Sequence, residues 1–245
     1  MKNNEEIKYI ETGFTNVSYI QNHTFVQEKK YTGFNHKIDY SLLSIFDFVP
    51  KLISNNEQKI KWQEIEGEKP DLSEENLIQI AKNIKQIHNS NIKFPASNHA
   101  ARVKKYRQIL KEKNIEIKAL NDFYRIINKV LANMDKTTPL HNDLWTSNMI
   151  KDNKTGKIYF VDWEYATLGD RNFELAYFIE SQNLDEKQIE IFLNAYDSYI
   201  DEKILTLHRI LVNSLVVMWA NAQDILPFDT AIYEKRMYEL QAKIS

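Results

Sequence analysis

Pro139-Leu-His-Asn-Asp-Leu-Trp-Thr-Ser-Asn148 and Ile158-Tyr-Phe-Val-Asp-Trp-Glu-Tyr165 are the two stretches that decide how this chain is read. Short apolar segments, Met149-Ile150 and Ile158 to Val161, adjoin the polar runs. The turn-forming Asp152-Asn153-Lys154-Thr155-Gly156 joins them. A β-hairpin of this kind sets its two loop ends side by side. Asp143, Asn148, Asp162 and Glu164 then converge as three carboxylates and one amide.

Hard oxygen donors of this sort suit magnesium. Transfer of an anionic phosphoryl group needs such ions, plus one carboxylate to orient the attacking hydroxyl and accept its proton. An Asp followed five residues later by a metal-binding Asn is the spacing of a kinase catalytic loop, and Asp143 and Asn148 have it. One Asp or Asn alone in a loop is more often a turn former. The ordered combination carries the reading.

Outward from this segment the periodicity divides the chain. From residue 7 to about 61 it reads as short strands and tight turns, with Val17 to Ile20 and Thr24 to Gln27 as a hairpin around Gln21-Asn22-His23. Asn35 to Phe46 reads as weakly helical. Lys59 to Ile65 alternates as another strand. After Gly67 the period becomes helical. Asp71 or Ser73 caps a first helix whose stripe is Leu77, Ile80, Ala81, Ile84, Ile87 and His88. Further helices are expected at about 98–113, 116–134, 171–182, 185–200, 203–224 and 229–243. Asp170 reads as a structural turn residue. The expectation is an α+β fold of two lobes: residues 1–66 small and β-rich, residues 67–245 mostly helical.

Composition removes other classes. The 245 residues carry a formal net charge of -2, with no basic footprint for nucleic acid. Hydrophobic residues at 43% are enough for a real core. Cysteine is absent, so disulfides and thiol chemistry are excluded, and a reducing cytoplasm is the expected setting. Met1 to Ile10 does not read as a signal peptide. The longest apolar run, Leu215 to Ala220, is too short to span a bilayer. Nothing in the sequence fixes the oligomeric state.

The chain resembles the choline/ethanolamine kinase branch of the aminoglycoside-phosphotransferase-like kinases, within the protein-kinase-like superfamily. The resemblance runs through Thr12-Gly13-Phe14-Thr15-Asn16, Ile65-Glu66-Gly67, Ile84 to His88, His141 to Asn148 and Asp162 to Tyr165. It implies ATP and Mg2+ as cofactors and a small alcohol, choline, as acceptor. It implies Asp143 as catalytic base, with Asn148 and Asp162 completing the catalytic set and holding metal. Glu164 would help at the metal or at the substrate. Phe14, Thr15 and Asn16 would cover the phosphates, and Glu64 and Ile65 would meet the nucleotide at the hinge. Lys29 would pair with the phosphates, with Asp39 as its carboxylate partner. Beside Asp143 and Glu164, the acceptor would meet Tyr177, Glu180, Trp219 and Tyr233, with Phe228 able to contribute. Val216 stands where the family has the first of two Trp one turn apart. Four alternatives stay open: an ethanolamine, a thiamine or an aminoglycoside acceptor, or a nucleotide-binding pseudokinase.

Overall fold

Asn22 and His23 both take positive φ, 50° and 56°, the backbone a two-residue hairpin turn requires. They join β2 (Val17–Gln21) to β3 (Thr24–Glu28), the expected hairpin. The computed structural model describes residues 7–10 and 16–244. Thr12, Gly13, Phe14 and Thr15 therefore lie outside the described residues. With β1 (Ile7–Ile10), β4 (Leu52–Asn55) and β5 (Lys59–Gln63), the hairpin builds an antiparallel sheet in the order β1-β2-β3-β5-β4. Val26 and Trp62 bury into it, with Tyr40 edge-on to Trp62 at 5.9 Å between ring centres.

The segment expected to be weakly helical from Asn35 forms only a 3-10 turn over Tyr40–Ile45. Two features stop a longer helix. His36 sits at φ 54°, and the Asp39 side chain caps Ser41 N. Asp39 is spent on that cap and on the Ser41 hydroxyl, 2.7 Å away, and does not pair with Lys29.

After the sheet, β6 (Gly67–Glu68) pairs with β8 (Met149–Asp152). A Cβ on Gly67 would lie 2.2 Å from the Lys151 carbonyl oxygen, so only glycine allows this approach. β8 pairs with β9 (Ile158–Phe160), as the sequence suggests. A third small pair joins β7 (Thr138–Leu140) to β10 (Thr167–Gly169). The helices are α1 (Glu74–His88), α2 (His99–Glu112), α3 (Lys118–Asp122), α4 (Tyr124–Asn133), α5 (Arg171–Gln182), α6 (Glu186–Tyr196), α7 (Glu202–Ala222) and α8 (Ala231–Ile244). The single helix expected over 116–134 is broken at Phe123.

α1 supports the β8–β9 hairpin directly. Gln79 Oε1 accepts from Ile158 N at 2.5 Å, and Asn83 Nδ2 donates to the Ile158 carbonyl at 3.2 Å. Its apolar stripe of Leu77, Ile80, Ala81, Ile84 and Ile87 has no exposure at all. Each such large side chain contributes about 1.5–3 kcal/mol by burial. α7 has the length and apolar content of a membrane span, but it packs against α5, α8, α2 and α4 with Ile210, Leu211, Val217 and Met218 fully buried. Here it is a core helix.

Candidate active site

Two left-handed residues shape the catalytic segment: Asn142 at φ 67° and Asp162 at φ 63°. Backbone strain of this kind persists where surrounding bonds hold it. At Asn142 those bonds are numerous. Its N–H donates to Glu174 Oε1 at 2.6 Å, and its Nδ2 donates to the Tyr165 carbonyl and to Thr167 Oγ1. Its Oδ1 lies 3.0 Å from His99 Nε2. Glu174, wholly buried on α5, also meets His88 Nε2 at 2.9 Å.

This frame fixes Asp143. Oδ1 accepts from the Tyr177 hydroxyl at 2.5 Å, and Oδ2 accepts from Asn148 Nδ2 at 2.9 Å. Burial raises the Asp143 pKa, against the Tyr177 hydrogen bond and the charges of His141 and Arg102. A raised carboxylate is a better proton acceptor near neutral pH. His141 is a core residue in the packing sense: its Nε2 meets the Val161 carbonyl, and its ring lies 4.5 Å from that of Trp163.

Asp162 is pushed up to about 8 by burial, then by Glu164 and Asp143, while the Gln27 hydrogen bond lowers it. Carboxylates held this close favour a cation among them. Among the described residues no group of three or more His, Asp or Glu forms a ready metal cage. The fit is to a hard cation held by few protein atoms. Asn148 commits its Nδ2 to Asp143, which leaves its amide oxygen as the end suited to a metal.

Glu164 is held differently from its neighbours. Its Oε2 accepts from Asn16 Nδ2 at 3.0 Å and Asn35 Nδ2 at 2.7 Å, and lies 2.9 Å from His36 Nε2. This is a clasp between the lobes. Tyr40, 2.7 Å from His36 Nδ1, has its hydroxyl pKa raised by burial and by Glu164 and Asp162.

An apolar cavity of about 190 Å³ opens beside Asp162. Ile20, Phe25 and Trp62 wall it from the sheet, with Ile150 and Phe160 opposite. Glu64 and Ile65, expected at the nucleotide, also line this cavity.

Not every candidate converges. Lys29 lies just past β3, with Nζ bonded to Asn55 Oδ1 and the Asn56 carbonyl, 5.4 Å from the Tyr40 ring centre. The β3 side chain that reaches Asp162 is Gln27, through Nε2 at 3.1 Å. Tyr177, expected at the acceptor, bonds Asp143 instead of standing apart from it. Glu180 does not: it is buried against Arg209, Asn213 and Arg236 in an ion-paired network. Trp219, Phe228 and Tyr233 form a separate aromatic row, with ring centres 6.1 and 5.8 Å apart. Gln27, Asn35, His36 and Glu174 escaped the sequence reading. A lone acid among Phe173, Leu175 and Ala176 was the available sign for Glu174.

Comparison with known proteins agrees with this geometry. Residues 51–205 match the model of the phosphotransferase enzyme family, APH. The chain is 45% identical over 236 residues to a Protein LicA homolog of Mycoplasma capricolum, covering 96% of this chain and 98% of that one. A Protein LicA homolog of Metamycoplasma hominis is 45% identical over 239 residues, 94% of this chain and 95% of the other. Among solved structures, choline kinase LicA from Streptococcus pneumoniae superposes with a TM-score of 0.76 at 17% identity, over 97% of this chain and 92% of that one. A choline/ethanolamine kinase family protein from Mesorhizobium loti reaches 0.77 at 15% identity, over 100% and 90%. The sheet lobe, the helical lobe and the cleft between them are thus the bilobal kinase-like fold, and the chain is an enzyme that belongs to the phosphotransferase enzyme family.

Proposed function

We propose that this enzyme transfers the γ-phosphoryl group of ATP to the hydroxyl of choline, with magnesium as cofactor. The observation that carries the reaction type is Asp143, held by Tyr177 and Asn148 and placed in one carboxylate cluster with Asp162 beside the interlobe cavity. The choline assignment is supported by the LicA homologs at 45% identity and by the solved LicA described as a choline kinase. Residues 1–66 would serve the nucleotide and residues 67–245 the chemistry and the acceptor, with Gly67 at the seam. The lack of cysteine fits work in the cytoplasm.

In this reading the base lies in the cavity, lined by Glu64 and Ile65. Asn16 would face the phosphates, anchored through Glu164. Asn148 and Asp162 would hold Mg2+, which neutralises charge on the phosphate oxygens when bound. Tyr177 and Asn148 orient the Asp143 carboxylate. Asp143 accepts the hydroxyl proton of choline while that oxygen attacks the γ-phosphorus, and ADP leaves with the bridging oxygen.

A coupled ADP-release assay over choline, ethanolamine, thiamine and an aminoglycoside tests the acceptor. Choline should give the highest kcat/KM. No stimulation by choline above the others would refute the assignment. Val216 in place of an aromatic makes ethanolamine, which needs less of a cage, the second reading. Asp143→Ala should lower kcat by about 10²–10⁴-fold while ATP binding persists. ATP binding with no transfer to any acceptor would indicate a pseudokinase.

A further inference from the structure

Arg102 is a partly buried cation that forms no ion pair among the described residues. It lies on α2 one turn after His99, whose Nε2 meets Asn142 beside the catalytic base. Its guanidinium is 5.2 Å from the ring centre of Tyr165 and beside the Tyr106 hydroxyl. The Tyr165 carbonyl in turn binds Asn142 Nδ2, and Tyr177 binds Asp143. Arg102 thus shares the Tyr165 and Tyr177 neighbourhood of Asp143, and its charge favours the ionised forms of both Asp143 and Tyr177. Its Nε is buried with no hydrogen-bond partner, and no carboxylate of the described residues forms an ion pair with it.

A buried guanidinium N–H left without an acceptor is costly. A guanidinium is the side chain best shaped to hold phosphate oxygens, through its planar fork of donors. The anion that phosphoryl transfer delivers to Asp143 is the moving group itself.

We propose that Arg102 is a catalytic residue that receives the transferred phosphoryl group, holding its oxygens in transit and on the phosphomonoester product. This rests on the phosphotransferase reading, though not on choline as acceptor. The acceptor oxygen bonds to the γ-phosphorus and the bond to the ADP oxygen breaks. The hydroxyl proton passes to Asp143. Arg102 stays protonated and donates N–H bonds throughout. A cationic acceptor is then turned hydroxyl-first, because its own charge is repelled from this end of the pocket.

The test is a thermal-shift comparison of the full chain with ADP and magnesium, with and without aluminium fluoride as a mimic of the moving group. It is run alongside steady-state kinetics. Wild type should gain stability on fluoride addition. Arg102→Gln should lose that gain while keeping its response to ADP and magnesium. Its kcat should fall about 10²–10³-fold, with KM for ATP within about threefold. Arg102→Lys should recover part of both. An unchanged fluoride gain and unchanged kcat in Arg102→Gln would overturn the proposal. If Arg102→Gln does not fold, Arg102→Lys decides: a weakened gain supports the role and a full one refutes it. A fluoride gain in wild type without choline turnover removes only the choline reading. No gain in a wild type that turns over an acceptor removes this role and leaves phosphoryl transfer standing.

Discussion

Glu174 and Glu164 are both buried and both grip the catalytic segment, but they connect it to different parts of the molecule. Glu174 joins His88 of α1 to the amide of Asn142, all within the helical lobe. Glu164 reaches Asn16, Asn35 and His36, which precede the hinge. Asp143 is therefore fixed by one lobe alone, while Asp162 and Glu164 sit where both lobes meet. Opening of the cleft would release the second arrangement and leave the first intact. Each kind of glutamate has its own expected failure.

The largest effect separating them belongs to Glu174→Ala. It strands the His88 ring and the Asn142 amide in a dry interior, a loss of about 3–5 kcal/mol. That corresponds to a drop on the order of 10 °C in Tm for a chain of this size, readable by calorimetry. A drop as small as that of a surface variant would show that the loop does not depend on this contact. Glu164→Ala should move Tm much less and act on the nucleotide, raising KM for ATP about tenfold, the equivalent of ~1.4 kcal/mol. A large kcat loss with KM unchanged would instead place Glu164 at the metal.

A third test uses pH. Asp162 has a folded pKa raised from 3.8 to about 8. Between those values the folded state holds more protons than the unfolded one, so metal-free stability falls as pH rises across that window. Tm measured at pH 5 and pH 8 should show the decline. Magnesium with nucleotide should reduce it, and Asp162→Asn should flatten it. The smallest effects sharpen the lobe comparison at β3. Gln27→Ala should alter this pH dependence by removing the bond to Asp162 Oδ1. Lys29→Ala should leave KM for ATP within about threefold, since loss of an exposed pairing is worth about 0–1 kcal/mol. A tenfold rise would mean that Lys29 leaves the Asn55 turn to reach phosphate.

What the sequence made legible was local. Asp143 and Asn148 are five residues apart on one loop, and their side chains do bond to each other. The flanking strands are set by a turn whose Asp152 side chain accepts from Lys154 N and Thr155 N. The helices with strong stripes fall within a few residues of expectation, because burial on one face dictates their period. The failures share a different cause. β6, β7 and β10 are two or three residues long, too short for any periodicity. The Lys29 assignment hinged on which strand residue faces the cleft, a choice that one residue of register reverses. Glu174 and Arg102 act across long separations from helices, where a single charge reads as solvated until the tertiary packing is known. Glu180 shows the converse: an acid on a helix near the site that packing assigns to Arg209 and Asn213.

The Asn142 amide, donating at 2.6 Å to a carboxylate with no solvent exposure, carries one more consequence. Its proton can exchange with deuterium only when the helical lobe opens around it. A charge-assisted bond this short also shifts the proton resonance well downfield. That single amide is a built-in spectroscopic gauge of whether the catalytic loop is intact, readable without substrate and without turnover.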